Sequence, residues 1–589
     1  MSSSQRERPR VVVVALAASA AIACALVVGC KDKDGAGTGD DASTTTATGD
    51  GGAPVQTAQK KQLVLATLSE PDTLNPLFSE MAAATEVSFL CHRELTMLND
   101  RWEFVPDLAT EIPTLENGGV RLVKSDDGKR TEMEVTWKIR ADAMWEDGVP
   151  VTANDFVFAF DVQMDPTQEI IDRDLPERVK KMEVKGDDAK TLVVTWKEPF
   201  AFYQQFQNHY AIPAHHLKAR VDEGNGRFKN VKLDPYGRDP LCNGPFALKE
   251  WVPGQHLIFT KNPHAQRRPL LDEVVVRVIP SHQAIESALL AGDIDVVTPQ
   301  GGLTVRAAEE LRRREQERLS VLVVPGLVWA HIDFNLDDPI LKDARVRKAI
   351  AHAVDRQGII DTLYFGQLTL AHTYLPPRHS GYAADVPTYA FDPALAKKLL
   401  DAAGTKVGAD GVRTDAKGRR LRFELSAISG IQDIEDLEVV VQANLKAVGV
   451  EVVIENKPQK AFFSEFARHR RLPHLSFYAW VMDPTTFGNV MWQEDMIPSA
   501  KNSWKGQNYP GWRNKEATAL LKKLPTELDL AKRTEMLHRV QRLWVDELPS
   551  LPMYFRPVVA VARKGVSGIA PTGTQTPVSW NAEQWDVAR

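Results

Sequence analysis

The residues able to do chemistry fall into a few groups along the 589-residue chain. Two histidine clusters stand out: His209 with His215 and His216, and His469 with His474 beside Arg468, Arg470 and Arg471. A metal ion needs thiolate, imidazole or carboxylate ligands at tight, matched spacing, and neither cluster has such partners. They read as surface or capping histidines, so no metal or other cofactor is expected. Nucleophilic chemistry has no better support. The chain lacks G-x-S-x-G, H-E-x-x-H and the phosphate loop G-x-x-x-x-G-K-[ST]. One segment invites a binding role instead: Tyr478-Ala479-Trp480-Val481-Met482-Asp483-Pro484-Thr485-Thr486-Phe487, with Trp492 shortly after. Trp480, and more weakly Phe487 and Trp492, suit either the wall of a solute pocket or ordinary core packing. Asp483, standing before Pro484, starts a turn on the plainest reading.

The N-terminus says where this chemistry takes place. Arg6, Arg8 and Arg10 precede an apolar, small-residue stretch over residues 11–28, the pattern of a signal peptide rather than a membrane span. It ends in Val27-Val28-Gly29-Cys30, which looks like a bacterial lipobox, so residues 1–29 are expected to be removed and Cys30 to carry lipid. Residues 30–60 hold almost no large apolar side chain and read as a flexible tether. No later segment offers about 18 uninterrupted apolar residues, so the membrane is reached through the lipid anchor only. Cys24 leaves with the signal peptide. Cys91 and Cys242 then remain, and an oxidising compartment favours their pairing as a disulfide over two buried thiols. The net charge of −6 is spread along the chain and gives no footprint for nucleic acid.

The elements that must position these residues alternate irregularly between strand and helix, which makes the fold class α/β. Met133, Val135, Trp137 and Ile139 alternate with polar residues as a half-buried strand does, and Leu192, Val194 and Trp196 repeat the pattern. The polar stretch over residues 124–131 reads as a hairpin loop. Val346, Ala349, Ile350, Ala353 and Val354 share a helical face behind the capping Asp343. Asp392-Pro393 opens another helix, closed by Gly404. A third carries Leu437, Val441 and Leu445, stops at Gly449 and yields to a strand through Val450, Val452 and Ile454. The charge-dense run over residues 309–318 reads as a solvated helix. No repeat of about 20–50 residues is present, which excludes solenoids and propellers.

A series of ordered motifs carries a family resemblance. Glu70-Pro71-Asp72-Thr73-Leu74-Asn75-Pro76 comes first, and then Thr136-Trp137-Lys138-Ile139-Arg140. Trp145-Glu146-Asp147-Gly148-Val149-Pro150-Val151-Thr152-Ala153-Asn154-Asp155-Phe156 follows, a strand and turn leading into a helix capped by Thr152. Asn243-Gly244-Pro245-Phe246, Trp251-Val252-Pro253-Gly254-Gln255, Asp343-Ala344-Arg345-Val346-Arg347 and Leu548-Pro549-Ser550-Leu551-Pro552-Met553-Tyr554 complete the order. Together they resemble the family 5 extracellular solute-binding proteins of bacterial ABC transporters.

The resemblance implies a two-lobed, periplasmic-binding-protein-like body of class II with an extra inserted subdomain, closing over solute. Lobe I would take residues 61–330, with the insert at about 96–234, lobe II 331–545, and residues 546–589 would return to lobe I. Asp147, Asp155 and Arg356 read as scaffold. Asp483 matches an aspartate that in peptide-binding relatives pairs the peptide's α-amino group, a role a carboxylate suits because a buried ammonium must be paired. The loop here is about three residues shorter than in those relatives, so Asp483 matches either that anchor or a second acid before the proline. The implied protein is a monomer, exported and lipid-anchored at a bacterial membrane, periplasmic or cell-surface. It is not an enzyme; it captures peptides, or alternatively a non-peptide solute such as a metal chelate, haem, a sugar or another small molecule, for an ABC permease, or senses its solute as a receptor.

Overall fold

The computed structural model describes residues 60–79, 81–205, 210–218, 235–482, 484–485 and 487–588. Cys30, His209 and Asp483, together with the expected leader and most of the expected tether, lie outside the described residues. Among the described residues, no helix is long and apolar enough to cross a membrane.

One mixed sheet of eleven strands organises the body. Its first half is built on Gln62–Thr67, which pairs in parallel with Glu273–Val278 and Val296–Val297 and is extended by the hairpin His256–Lys261 and Phe246–Val252. Its second half is built on Leu475–Val481, parallel to Arg422–Ser426, which is parallel in turn to Glu451–Ile454. Two long strands, Leu319–Phe334 and Ser550–Arg563, run antiparallel through both halves and join them. Their register slips between Val324 and Val328, at Pro325-Gly326. There Gly326 comes so close to its partner that a Cβ would stand 2.3 Å from the Arg556 carbonyl oxygen. The result is the expected two-lobed α/β body, whose joint is a bulged pair of strands.

The insert is a separate antiparallel layer of four strands, in spatial order Val120–Lys124, Thr131–Lys138, Thr191–Trp196, Val179–Lys185. The first two close over the predicted polar loop. Met133, Val135, Trp137, Leu192, Val194 and Trp196 are all fully buried on one face, as period-two alternation requires. Helix Ala153–Met164 covers that layer. Its first turn is tied by Asp155, whose carboxylate accepts the Thr152 N–H at 2.8 Å and the Ala214 N–H at 2.9 Å.

The remaining motifs prove to be joints. Glu70 accepts hydrogen bonds from the Trp251 indole at 2.7 Å, the Gly254 N–H at 2.9 Å and Arg238 at 3.0 Å, which binds two motifs distant in sequence. Cys91 and Cys242 are bonded, with their Cα atoms 4.7 Å apart. The next residues dock on the same helix end: Asn243 accepts the Arg93 N–H at 2.8 Å, and a Cβ on Gly244 would meet the Cys91 carbonyl carbon at 2.7 Å. Arg356 is buried and spends its guanidinium on the carbonyls of Ala371, Pro552 and Tyr389.

Candidate functional site

Strand direction locates the site. Leu319–Phe334 enters the second lobe from the first, so the antiparallel Leu475–Val481 runs back toward the joint, and its parallel neighbours run with it. Ser550–Arg563 runs the opposite way, so Val296–Val297, antiparallel to it, also runs toward the joint, and Gln62–Thr67 and Glu273–Val278 follow. Both lobes therefore aim the carboxyl ends of their parallel strands at the junction. Open α/β sheets bind ligands at such ends, where loops are free to vary and backbone groups are unpaired.

The Leu475–Val481 strand presents the predicted segment there. Trp480 is half-buried and ringed by Tyr478 at 5.5 Å, Tyr509 at 5.8 Å and Phe463 at 6.4 Å. The Met482 N–H then donates to the Leu327 carbonyl at 3.0 Å, which holds the strand end beside the joint. Phe487 is buried and stacks on Phe202 with centroids 5.2 Å apart and planes 8° from parallel. Trp492 is placed elsewhere. It is 1 % exposed and packs edge to face on Trp329, Trp512 and Trp544, with Tyr374 at 5.6 Å. The reading of Trp492 as a solute wall is thus corrected to core packing. The cause is Gly488: its φ of +84° turns the chain back over the second lobe.

Behind Trp480 the sheet buries a polar chain. His331 and Asp333 follow Trp329 on one face of the long strand, opposite Tyr478 and Ser476. Asp333 accepts the Ser550 hydroxyl at 2.6 Å and the Tyr478 hydroxyl. His331 lies 3.4 Å from the Asp333 carboxyl and stacks on Trp329 at 3.9 Å. Burial pushes the His331 imidazole down to about 3. Burial also pushes the Asp333 carboxyl up to about 7, against the two hydroxyls that favour its ionised form. An ion pair would move both groups the other way, so near neutrality His331 is uncharged and Asp333 holds its proton far more readily than an exposed aspartate does. At the other lobe's strand ends, burial lifts the Glu86 carboxyl to about 8, with the Thr298 hydroxyl opposing. What the junction offers near Trp480 is aromatic surface backed by buried hydrogen-bonding groups, a recognition surface rather than a nucleophile with its base.

The described members of the histidine clusters, His215, His216, His469 and His474, form no such site. His215 bonds Asp147 at 2.9 Å, His469 lies 4.7 Å from Trp504, and His474 accepts the Glu424 N–H at 3.1 Å. No group of three or more His, Cys, Asp or Glu able to hold a metal exists among the described residues. Sequence reasoning missed Phe202, Tyr509, His331 and Asp333. Each reaches the site through pairing or packing distant in sequence, and none sits in a motif that would mark it.

Comparison with known proteins agrees with this geometry. Oligopeptide-binding protein AppA of Bacillus subtilis (strain 168) is 27% identical over 504 residues, covering 84% of this chain and 86% of that protein. The probable deoxycholate-binding periplasmic protein YgiS of Escherichia coli (strain K12) is 24% identical over 529 residues, covering 85% of this chain and 89% of that one. Among solved structures, the oligopeptide-binding protein of Thermus thermophilus complexed with a pentapeptide superposes with a TM-score of 0.64 at 29% identity, over 90% of this chain and 96% of that one. All three are named as binding proteins, not as enzymes. The model of the bacterial extracellular solute-binding proteins, family 5, matches residues 103–494, well over half of the chain, and the chain belongs to that family.

Proposed function

We propose that this protein captures peptides at the junction between its lobes and delivers them to the permease of an ABC importer. The observation that carries the reading is the convergence of both lobes' parallel strand ends on one junction, with Trp480 and Met482 at the end of one of them. The relatives named for oligopeptides support the solute class. In this reading Trp480 and Phe487 line the site and Asp483 pairs the peptide's α-amino group. Main-chain hydrogen bonds to an extended peptide then add affinity without reading side chains. The lobes exchange near residues 330 and 545, and closure follows because solute binds the closed arrangement better than the open one. Cys30 holds the monomer at a bacterial membrane through lipid, and the tether gives it reach to the permease.

A second reading, an apolar non-peptide solute, draws on the aromatic surround of Trp480 and on the relative named for deoxycholate. Native mass spectrometry of the full chain extracted from membranes, followed by denaturation, separates the two. A ladder of short peptides, lost in Asp483→Ala, with acyl mass on Cys30, is the expected result. A single non-peptide species overturns the peptide reading. Peptides retained equally by Asp483→Ala overturn the amine anchor, and an unmodified Cys30 overturns the lipid anchor.

A further inference from the structure

A short strap beyond the inserted layer makes a contact that solute recognition alone does not require. Residues 200–205 follow strand Thr191–Trp196 and are pinned to the insert and its surroundings on one side. Phe200 stacks on Trp196 at 5.0 Å, the Tyr203 hydroxyl donates to the Pro113 carbonyl at 2.8 Å, and the Thr96 hydroxyl donates to the Gln204 carbonyl at 3.0 Å. Phe202, among these pins, reaches the second lobe instead. Its ring lies flat on Phe487 at 5.2 Å, with the Arg533 guanidinium 5.5 Å from its centroid. Next to it the Ala201 N–H donates to the Pro525 carbonyl at 2.7 Å. Phe202 is partly buried against the core of the insert and also against the core of the second lobe.

Phe487 is a specific place to press. The Tyr374 hydroxyl bonds its carbonyl at 3.5 Å, and Gly488 leaves no room for a side chain, since a Cβ would stand 2.3 Å from Trp492 Cδ1. A push on the Phe487 ring is therefore met by the second lobe's aromatic core, five residues along the chain from the strand-end Met482.

We propose that Phe202 is a positioning residue for solute retention, a clasp that joins the insert to the segment following the Trp480 strand. The proposal rests on the reading that solute sits at this junction. Coupling of this kind is reciprocal: whatever holds Phe487 favours docking of the insert, and docking holds Phe487. A stacked aromatic pair is worth about two- to tenfold in such an equilibrium. Losing it lowers the docked fraction, and apparent affinity falls in proportion, mostly through faster release.

Hydrogen exchange on the full chain without solute is the first test. Phe202→Ala and Phe202→Leu should speed exchange about two- to tenfold at residues 200–205 and 487–492, while the Gln62–Thr67 strand keeps its protection. Phe202→Tyr, which keeps the ring, should restore the original rates. Trialanine and pentaalanine then serve as solute probes, and their release should be faster from the Ala and Leu variants by the same factor. Unchanged exchange in both variants overturns the clasp whatever the solute. Faster exchange with unchanged release overturns its coupling to retention. Faster exchange in a protein that binds neither peptide upholds the clasp and counts against the peptide reading instead.

Discussion

Asp333 and His331 show how burial decides a charge state that sequence cannot. Side by side in a strand they look like an acid–base pair. Yet the carboxyl is pushed up to about 7 and the imidazole down to about 3, both by removal from water. The consequence for stability has a definite sign. An unfolded aspartate is ionised above about pH 4, whereas folded Asp333 keeps its proton until about pH 7. The folded state therefore binds more protons between those values, and its stability drains as pH rises through that window. Asn carries no proton to lose, so Asp333→Asn should gain on the parent protein as pH rises from 5 to 8 in thermal unfolding. A constant offset between the two across that range would show that folded Asp333 is already ionised at pH 5, like the unfolded residue. Trp492 makes the same point about reading single residues. An aromatic side chain serves a pocket wall and a core equally well, and only the turn at Gly488 sends this one inward.

Elements were legible where their causes are local. The caps at Asp343 and Asp392 stand where the sequence places them, each side chain accepting a backbone N–H in the first turn. The strand through Met133, Val135 and Trp137 follows from alternation alone. The charged run from Glu309 shows the limit of that reading, because Glu309 is buried beneath Arg312 and Arg313 rather than solvated. What stayed illegible is what depends on distant partners. The long strands Leu319–Phe334 and Ser550–Arg563 are recognised by their pairing with each other, and the slip at Gly326 by the backbone that approaches it. That approach predicts a sensitive position. Gly326→Val must push the Arg556 carbonyl away and widen the joint between the lobes, costing about 1–3 kcal/mol. Urea unfolding would read the loss, and small-angle scattering a changed distribution between open and closed forms. A variant matching the parent in both would show that the joint is looser than its packing implies.

At the scale of the molecule, the inserted layer poses a problem of attachment. The chain leaves the first lobe after helix Ala82–Cys91, builds a layer with its own core, and returns near Asn243. The Cys91–Cys242 bond closes that excursion at its base, with a sequence separation of 151 residues. A cross-link acts chiefly on the unfolded chain, and a loop this long loses much closure entropy when it is tied. Contacts at the base would keep the folded layer attached without it, because Asn243 still accepts the Arg93 N–H. The fold should therefore survive Cys91→Ala/Cys242→Ala with its sheet intact, while stability falls by about 2–5 kcal/mol. The urea dependence should also steepen, since an untied chain exposes more surface on unfolding. An unchanged midpoint and slope would mean that the unfolded insert stays compact without the bond. A variant that loses the insert's protection from hydrogen exchange while the main sheet stays protected would mean that the bond, and not the packing at Gly244, holds the layer to the lobe.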